Sequence, residues 1–319
     1  MQALKHILYF ADGEFLPTRA FRRAVALAEQ HKAKLTLMDV TVESEITAEL
    51  VERYGLADDV QQSEQRLAAL THLAETWVHG QTPRLRVTIG TPFIEVIRAV
   101  LNDGHDLVLK PVRPRADGHG LLASTEMHLL RKCPCPVWVD REPQDPDPAD
   151  GPPPAYRGVL AAVDAAQPQT EELGRSILET AASVAARDRA TLDVVHAWQA
   201  SWEGRLPREG RAGPGEARNA QLSDALRQIE QRHADALETL TAGYRERLDG
   251  GALHLVHGNP AQQIPAQAEA LATDLIVLAT LSRPREPGLF IGSTAEDLLR
   301  DVTTSVLALK PARFVSPVQ

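Results

Sequence analysis

The chain repeats itself. Residues 120–131 read GLLASTEMHLLR and residues 289–300 read LFIGSTAEDLLR. Other short segments match in the same order: 5–13 KHILYFADG with 157–165 RGVLAAVDA, 33–40 AKLTLMDV with 190–197 ATLDVVHA, 86–92 RVTIGTP with 254–260 HLVHGNP, 105–110 HDLVLK with 273–279 TDLIVLA, and 129–139 LLRKCPCPVWV with 298–309 LLRDVTTSVLAL. One such match means little. A series in one order implies a doubled unit, so any fold taken by one half must suit the other. The stretch 140–157, DREPQDPDPADGPPPAYR, holds six prolines and several acids. Proline fixes φ and removes a backbone donor, so this segment reads as an extended, semi-rigid linker. The division is a first domain at 1–141, a linker at 142–156 and a second domain at 157–312.

Each half alternates short apolar runs with longer amphipathic stretches. Segments such as 17–32 and 171–188 repeat their apolar residues at three and four, the helical period. The apolar runs are continuous rather than alternating, as in strands buried on both faces. Five strands and four helices per half give an α/β chain of two tandem, doubly wound parallel-sheet domains. The longest helices are expected at 59–79 and 215–248. The Gly- and Pro-rich segment 201–215 before the second reads as a surface loop. With 319 residues and 43 % apolar side chains, two such cores can be filled.

Charge narrows the partners. The formal net charge is −9 and no dense basic run occurs, which argues against a nucleic-acid groove or an anionic membrane surface. No basic-then-apolar leader is visible, and no apolar run approaches the roughly 20 residues of a membrane span. A cytoplasmic protein is the expectation.

In open α/β sheets ligands sit at the carboxyl ends of the strands, where strand order switches. Asp12 and Asp164 end the first strand of each half and would face that crevice. After the fourth strand of the second half, a loop leads to Gly292, Ser293 and Thr294 and then a helix. The free N–H groups of a helix start attract an anion such as phosphate. Gly292 permits close approach, Ser293 and Thr294 supply hydroxyls, and Arg283 or Arg285 could add positive charge. Ordinary helix capping explains the same residues.

With these features in view, the chain resembles the tandem universal stress proteins, and among them the UspE-like branch. The segments 104–110 GHDLVLK and 128–138 HLLRKCPCPVW carry the likeness most strongly, and it extends over nearly the whole chain. The resemblance implies the adenine-nucleotide-hydrolase-like doubly wound fold. It also implies that the last strands of the halves, in 136–140 and 305–310, pair as single-domain members pair in dimers, making an intramolecular pseudo-dimer. A further homodimer is left open. Nucleotide-binding members carry a G-x2-G-x9-G-S/T loop after the fourth strand. Here its positions fall on Ala279, Ser282, Gly292 and Ser293, with Asp164 as the nucleotide-facing aspartate, so the frame survives with two glycines replaced. In the first half the count is ambiguous by one: Lys110 or Pro111, Arg113 or Pro114, then Ala123, with no glycine among them.

An adenine nucleotide such as ATP, bound in the second half only, is therefore the expected ligand. No Walker loop, no Ser-His-Asp arrangement and no GxSxG is present, and after Lys132 the single lysine is Lys310. The expectation is a non-enzymatic regulatory protein of the stress response, with slow ATP hydrolysis left open. No metal is expected: Cys133, Cys135 and His128 have an unusual spacing for zinc and lack a fourth ligand. His105 and His119 read as surface or loop residues, and His254 and His257 as lying on opposite faces of a strand. Two alternatives stay in play. Leu289, Phe290 and Ile291 could line a crevice for a hydrophobic or acyl-chain metabolite, or the chain could be a ligand-free scaffold for protein partners.

Overall fold

The computed structural model describes residues 3–43, 58–113, 122–142, 155–200, 202, 216–248, 250–280, 293–312 and 314–318. The first half runs β1 (His6–Phe10), α1 (Arg19–His31), β2 (Lys34–Thr41), α2 (Asp59–Trp77), β3 (Arg84–Ile89), α3 (Pro92–Asp103), β4 (Leu107–Val112), α4 (Ser124–Lys132) and β5 (Val137–Arg141). The second repeats the order with β6 (Gly158–Ala162), α5 (Glu171–Asp188), β7 (Thr191–Trp198), α6 (Glu216–Thr241), β8 (Leu253–His257), α7 (Pro260–Ala270), β9 (Leu275–Ala279), α8 (Ser293–Asp301) and β10 (Ser305–Leu309). Among the described residues, five strands and four α-helices per half are as the apolar pattern implies. The long helices near 59 and 216 lie where expected, the latter prolonged by a 3-10 turn at Ala242–Arg247.

The ten described strands form one sheet, in the order β3-β2-β1-β4-β5-β10-β9-β6-β7-β8. Pairing within each half is parallel, and β5 meets β10 antiparallel, with Trp138 opposite Leu307. One face carries a core built with α1, α2, α5 and α6, and the other a core with α3, α4, α7 and α8. Continuous apolar strands are what a sheet covered on both faces requires. Polar groups close the element ends. Thr18 accepts from the Phe21 amide at the start of α1, and Asp58 from the Gln61 amide at the start of α2. The same device opens each half: the Asp106 carboxylate accepts the Lys5 amide at 2.7 Å, and Asp274 accepts the Arg157 amide at 2.6 Å.

The seam between the halves is more than a strand pair. Asp140 on β5 is fully buried and accepts from Arg23 Nε (3.0 Å), the Tyr156 hydroxyl (2.7 Å) and Ser305 Oγ (2.9 Å). Arg23 reaches on to Asp188 of the second half at 3.1 Å and lies over the Tyr156 ring. A buried carboxylate needs this full set of donors, because each missing one leaves desolvated charge. Across the other end, Lys310 Nζ donates to the carbonyls of Leu130 and Arg131 at the close of α4, and Arg131 pairs with Glu296.

Strand register removes the ambiguity left by the sequence. Ile7 pairs with Leu107 and Val159 with Leu275, so Lys110 corresponds to Leu278 and Pro111 to Ala279. The first loop is thus one residue shorter than the second. His105 is not a surface residue as expected. It is buried, its ring 3.8 Å from that of His6, with Nδ1 at the Ala99 carbonyl and Nε2 at Thr36 Oγ1. Burial, then the neighbouring His6, pushes its pKa down to about 4. His119 lies outside the described residues.

Candidate functional site

The strand order switches between β1 and β4 in the first half and between β6 and β9 in the second. A doubly wound sheet opens a crevice at these two places. Asp12 and Asp164 lie just beyond the ends of β1 and β6, as their motif positions imply.

In the first half the crevice is filled from within. Lys110, in the second half of β4, is only 3 % exposed, and its Nζ lies 2.8 Å from Asp12 Oδ2 and 2.5 Å from Glu126 Oε1. The second Glu126 oxygen accepts the backbone N–H of Ala123, the residue preceding α4, at 2.8 Å. An internal carboxylate therefore occupies the helix start where an external anion would sit, and Lys110 balances its charge. Burial alone would lower the Lys110 pKa; Glu126 and Asp12 outweigh it and raise it. Asp12 is also bent into place. Its φ is +50° and that of Gly13 +80°, a left-handed pair that Asp tolerates and Gly prefers.

The second half lacks this filling. Leu278 stands in place of Lys110 and Ala295 in place of Glu126, both in apolar contact with the core on that face. Asp164 is half-buried and has no ion pair among the described residues; its backbone carbonyl accepts the Thr170 hydroxyl at 2.8 Å. Ala279 is half-buried at the end of β9. Ser293 and Thr294 open α8, and their side chains are outside the described set. Ser282, Gly292, Arg283 and Arg285 lie outside the described residues, as do Leu289, Phe290 and Ile291. Asp164 and Ala279 thus lie at the carboxyl ends of the neighbouring strands β6 and β9.

The next strand differs in parallel. Asp39 of β2 is fully buried, accepts the Gly13 amide at 2.9 Å and pairs with Arg66 of α2 at 2.5 Å. The matching residue of β7 is His196. Its Nδ1 lies 3.0 Å from the Val163 carbonyl, and its Nε2 lies 2.7 Å from Nδ1 of His233 on α6. Burial lowers the pKa of both rings, and His196 lowers that of His233 further. Trp198 stacks on His233 and meets the ring of His257. His254 turns to the opposite face and pairs with Asp193 at 2.8 Å.

Away from the crevices, a polar cavity of about 330 Å³ opens at the seam beside Arg19, Arg141, Glu142 and Asp274. Glu142 there accepts the Arg19 and Ala20 amides, capping α1, and burial raises its pKa to about 7. Cys133 and Cys135 are free, buried thiols with Sγ atoms 3.6 Å apart. Among the described residues no group of three or more His, Cys, Asp or Glu side chains is arranged to hold a metal, and no helix is long and apolar enough to cross a membrane.

Sequence reasoning missed the Lys110–Glu126 filling and the two strand-to-helix pairs. One signal was present: a lysine at the end of an otherwise apolar strand needs a buried counter-charge, and Glu126 stands at the third position of the next helix.

Comparison with known proteins agrees with this doubled architecture. The model of the universal stress protein family matches residues 3–141 and again 155–310. Universal stress protein E of Escherichia coli K12 is 28 % identical over 313 residues, covering 94 % of this chain and 92 % of that protein. The Photorhabdus laumondii protein of the same name is 26 % identical, covering 94 % and 93 %. Among solved structures, a putative universal stress protein from Pseudomonas aeruginosa shares 25 % identity with a TM-score of 0.69, covering 97 % of this chain and 94 % of that one. A universal stress protein from Archaeoglobus fulgidus, 17 % identical with a TM-score of 0.58 and coverage of 97 % and 99 %, shares the fold.

Proposed function

The chain belongs to the universal stress protein family, and we propose that it is a non-enzymatic regulator of the stress response that takes an adenine nucleotide such as ATP in its second half only. Asp164, Ala279, Ser282, Gly292, Ser293 and Thr294 form the proposed site. One observation carries this reading: the ammonium and carboxylate that fill the first crevice are replaced by Leu278 and Ala295 in the second. That exchange leaves Asp164 without a lysine partner and the start of α8 without an internal carboxylate at its third position.

Binding without turnover fits the distribution of charge. Phosphoryl transfer needs cations on the leaving oxygens. Lys310, the one lysine of the second half, spends its donors on Leu130, Arg131 and Thr280 at the seam. The test is thermal unfolding of the full chain with millimolar ATP. An upward shift is expected, lost in Gly292→Trp or Ser293→Glu. A melting curve that ATP leaves unmoved rejects the proposal.

A further inference from the structure

We propose that Cys133 and Cys135 form a reversible dithiol–disulfide site at the seam, with Cys133 as the attacking sulfur, Cys135 as the resolving one, and Lys310, fixed on the last carbonyls of α4, as the cation whose charge favours the Cys133 anion. The proximity comes from the backbone. Cys133 ends α4, its amide bonded to the Leu129 carbonyl, and the chain bends at Pro134 and Cys135 before β5. The two sulfurs come to 3.6 Å. A disulfide bond measures ~2.05 Å.

Packing does not demand sulfur here. The duplicated half puts Val302 and Thr304 at the same two positions, and Val302 is as fully buried as Cys133. The fold therefore closes without sulfur at these two positions of its other half, and the thiols need another reason.

Lys310 supplies the chemistry. Its Nζ is held by the Leu130 and Arg131 carbonyls and by Thr280 Oγ1 at 2.5 Å, and no carboxylate pairs with it among the described residues. Burial lowers its pKa to about 7, and the two sulfurs, when charged, raise it. The thiols are unequal. Burial opposes ionisation of Cys133, but hydrogen bonds from the Cys135 thiol and backbone, with Lys310, pull its pKa below the ordinary thiol range. Cys135, hydrogen-bonded to Cys133 and buried, goes well above it. A thiolate beside a protonated thiol is the arrangement that attack and resolution require.

The oxidant is a small hydroperoxide. The Cys133 thiolate attacks one peroxide oxygen, the O–O bond breaks, and the leaving oxygen departs as water or an alcohol after taking a proton. Cys133 is then a sulfenic acid. The Cys135 sulfur attacks it, forming the S–S bond, while the sulfenic oxygen leaves as water with the Cys135 proton. Two electrons pass from the dithiol to the peroxide, and an external dithiol returns them.

The experiment uses the full chain, reduced, exposed to hydrogen peroxide while folded, then denatured in an alkylating reagent and weighed. Wild type is expected to lose the mass of two hydrogens, to escape alkylation at both cysteines, and to recover with dithiothreitol. Cys135→Ser should halt at a Cys133 sulfenic acid that a dimedone reagent traps, and Cys133→Ser should stay reduced at the same exposure. Lys310→Met should slow oxidation about three- to ten-fold, since thiolate fraction falls faster than nucleophilicity rises. Should that variant not fold, the pH–rate profile of wild type reads the same point, with a midpoint expected below that of a free thiol. Tert-butyl hydroperoxide should react more slowly than hydrogen peroxide at a site this enclosed. Full alkylation of folded, peroxide-treated wild type overturns the proposal, as do equal oxidation rates in the two serine variants; a pH midpoint at the free-thiol value overturns the role of Lys310.

Discussion

At the ends of β4 and β9, and in the first turns of α4 and α8, the two halves have made opposite choices: Lys110 with Glu126 in one, Leu278 with Ala295 in the other. The surrounding sheets superpose in register, so neither choice is needed to build the fold. Buried ion pairs exchanged for apolar residues of similar volume are often neutral or stabilising, which makes stability a weak reason for keeping one. What the pair does is spatial. It places a carboxylate on the amide of Ala123 and an ammonium on Asp12, the counterparts of two groups in the nucleotide site proposed for the second half. On the proposed reading, the first copy gives up its ligand by filling the crevice as well as by losing glycines.

The largest effect should come from breaking the filling on one side. Lys110→Met leaves Glu126 and Asp12 without their cation and is expected to cost about 3 kcal/mol in urea unfolding. The double change Lys110→Leu with Glu126→Ala copies the second half and should cost clearly less than the sum of the singles, because it removes both charges together. If the costs simply add, the pair is not a unit. The reverse transplant sharpens the functional contrast. Leu278→Lys with Ala295→Glu should carry the filling into the second crevice and abolish the stabilisation by ATP, about 2.7 kcal/mol at a hundredfold excess over Kd. An undiminished shift in a folded double variant would show that the nucleotide does not use this helix start.

Smaller differences follow from the strand-to-loop turn. Gly13 has a φ of +80°, whereas its counterpart is already Ala165. Gly13→Ala should cost about 1 kcal/mol, and Ala165→Gly should show no comparable strain in the same assay. The smallest effect is one of pH. An ion pair of Arg66 with Asp39 anchors α2, but α6 is held by the neutral pair His196–His233, faced by Asp164 on the β6 side and by Trp198 and His257 on the sheet. Both folded pKa values lie below the unfolded value of about 6.5. The unfolded chain therefore binds more protons as pH falls through that value, and stability present above it declines below it. Hydrogen exchange should quicken in α6 between neutral and mildly acidic pH while α2 changes less, and His233→Gln should remove most of that difference.

Much of this architecture was legible because buried parallel strands leave continuous apolar runs, and helices leave a 3.6-residue period. The doubled pattern gave the element count and Asp12 with Asp164; the pairing of the last strands rested on the resemblance, and only the structure shows it antiparallel. The crevice chemistry was harder. Lys110 meets Asp12 from 98 positions away, and His196 meets His233 across 37, so no local window contains either contact. The one-residue ambiguity in the first loop yielded only to strand register, since Lys110 keeps the motif spacing while Pro111 holds the matching place in the sheet. His105 was misread because a histidine after a helix-ending glycine looks exposed; stacking on His6 and bonding to Thr36 bury it instead.

The antiparallel seam of β5 and β10 also has an evolutionary reading. When two copies of one polypeptide meet across such an edge, a single codon change appears on both sides at once, and a lysine that closes one mouth closes its twin. Written as two stretches of one gene, the partners mutate separately. That freedom is what lets one side carry Lys110 and Glu126 while the other carries Leu278 and Ala295.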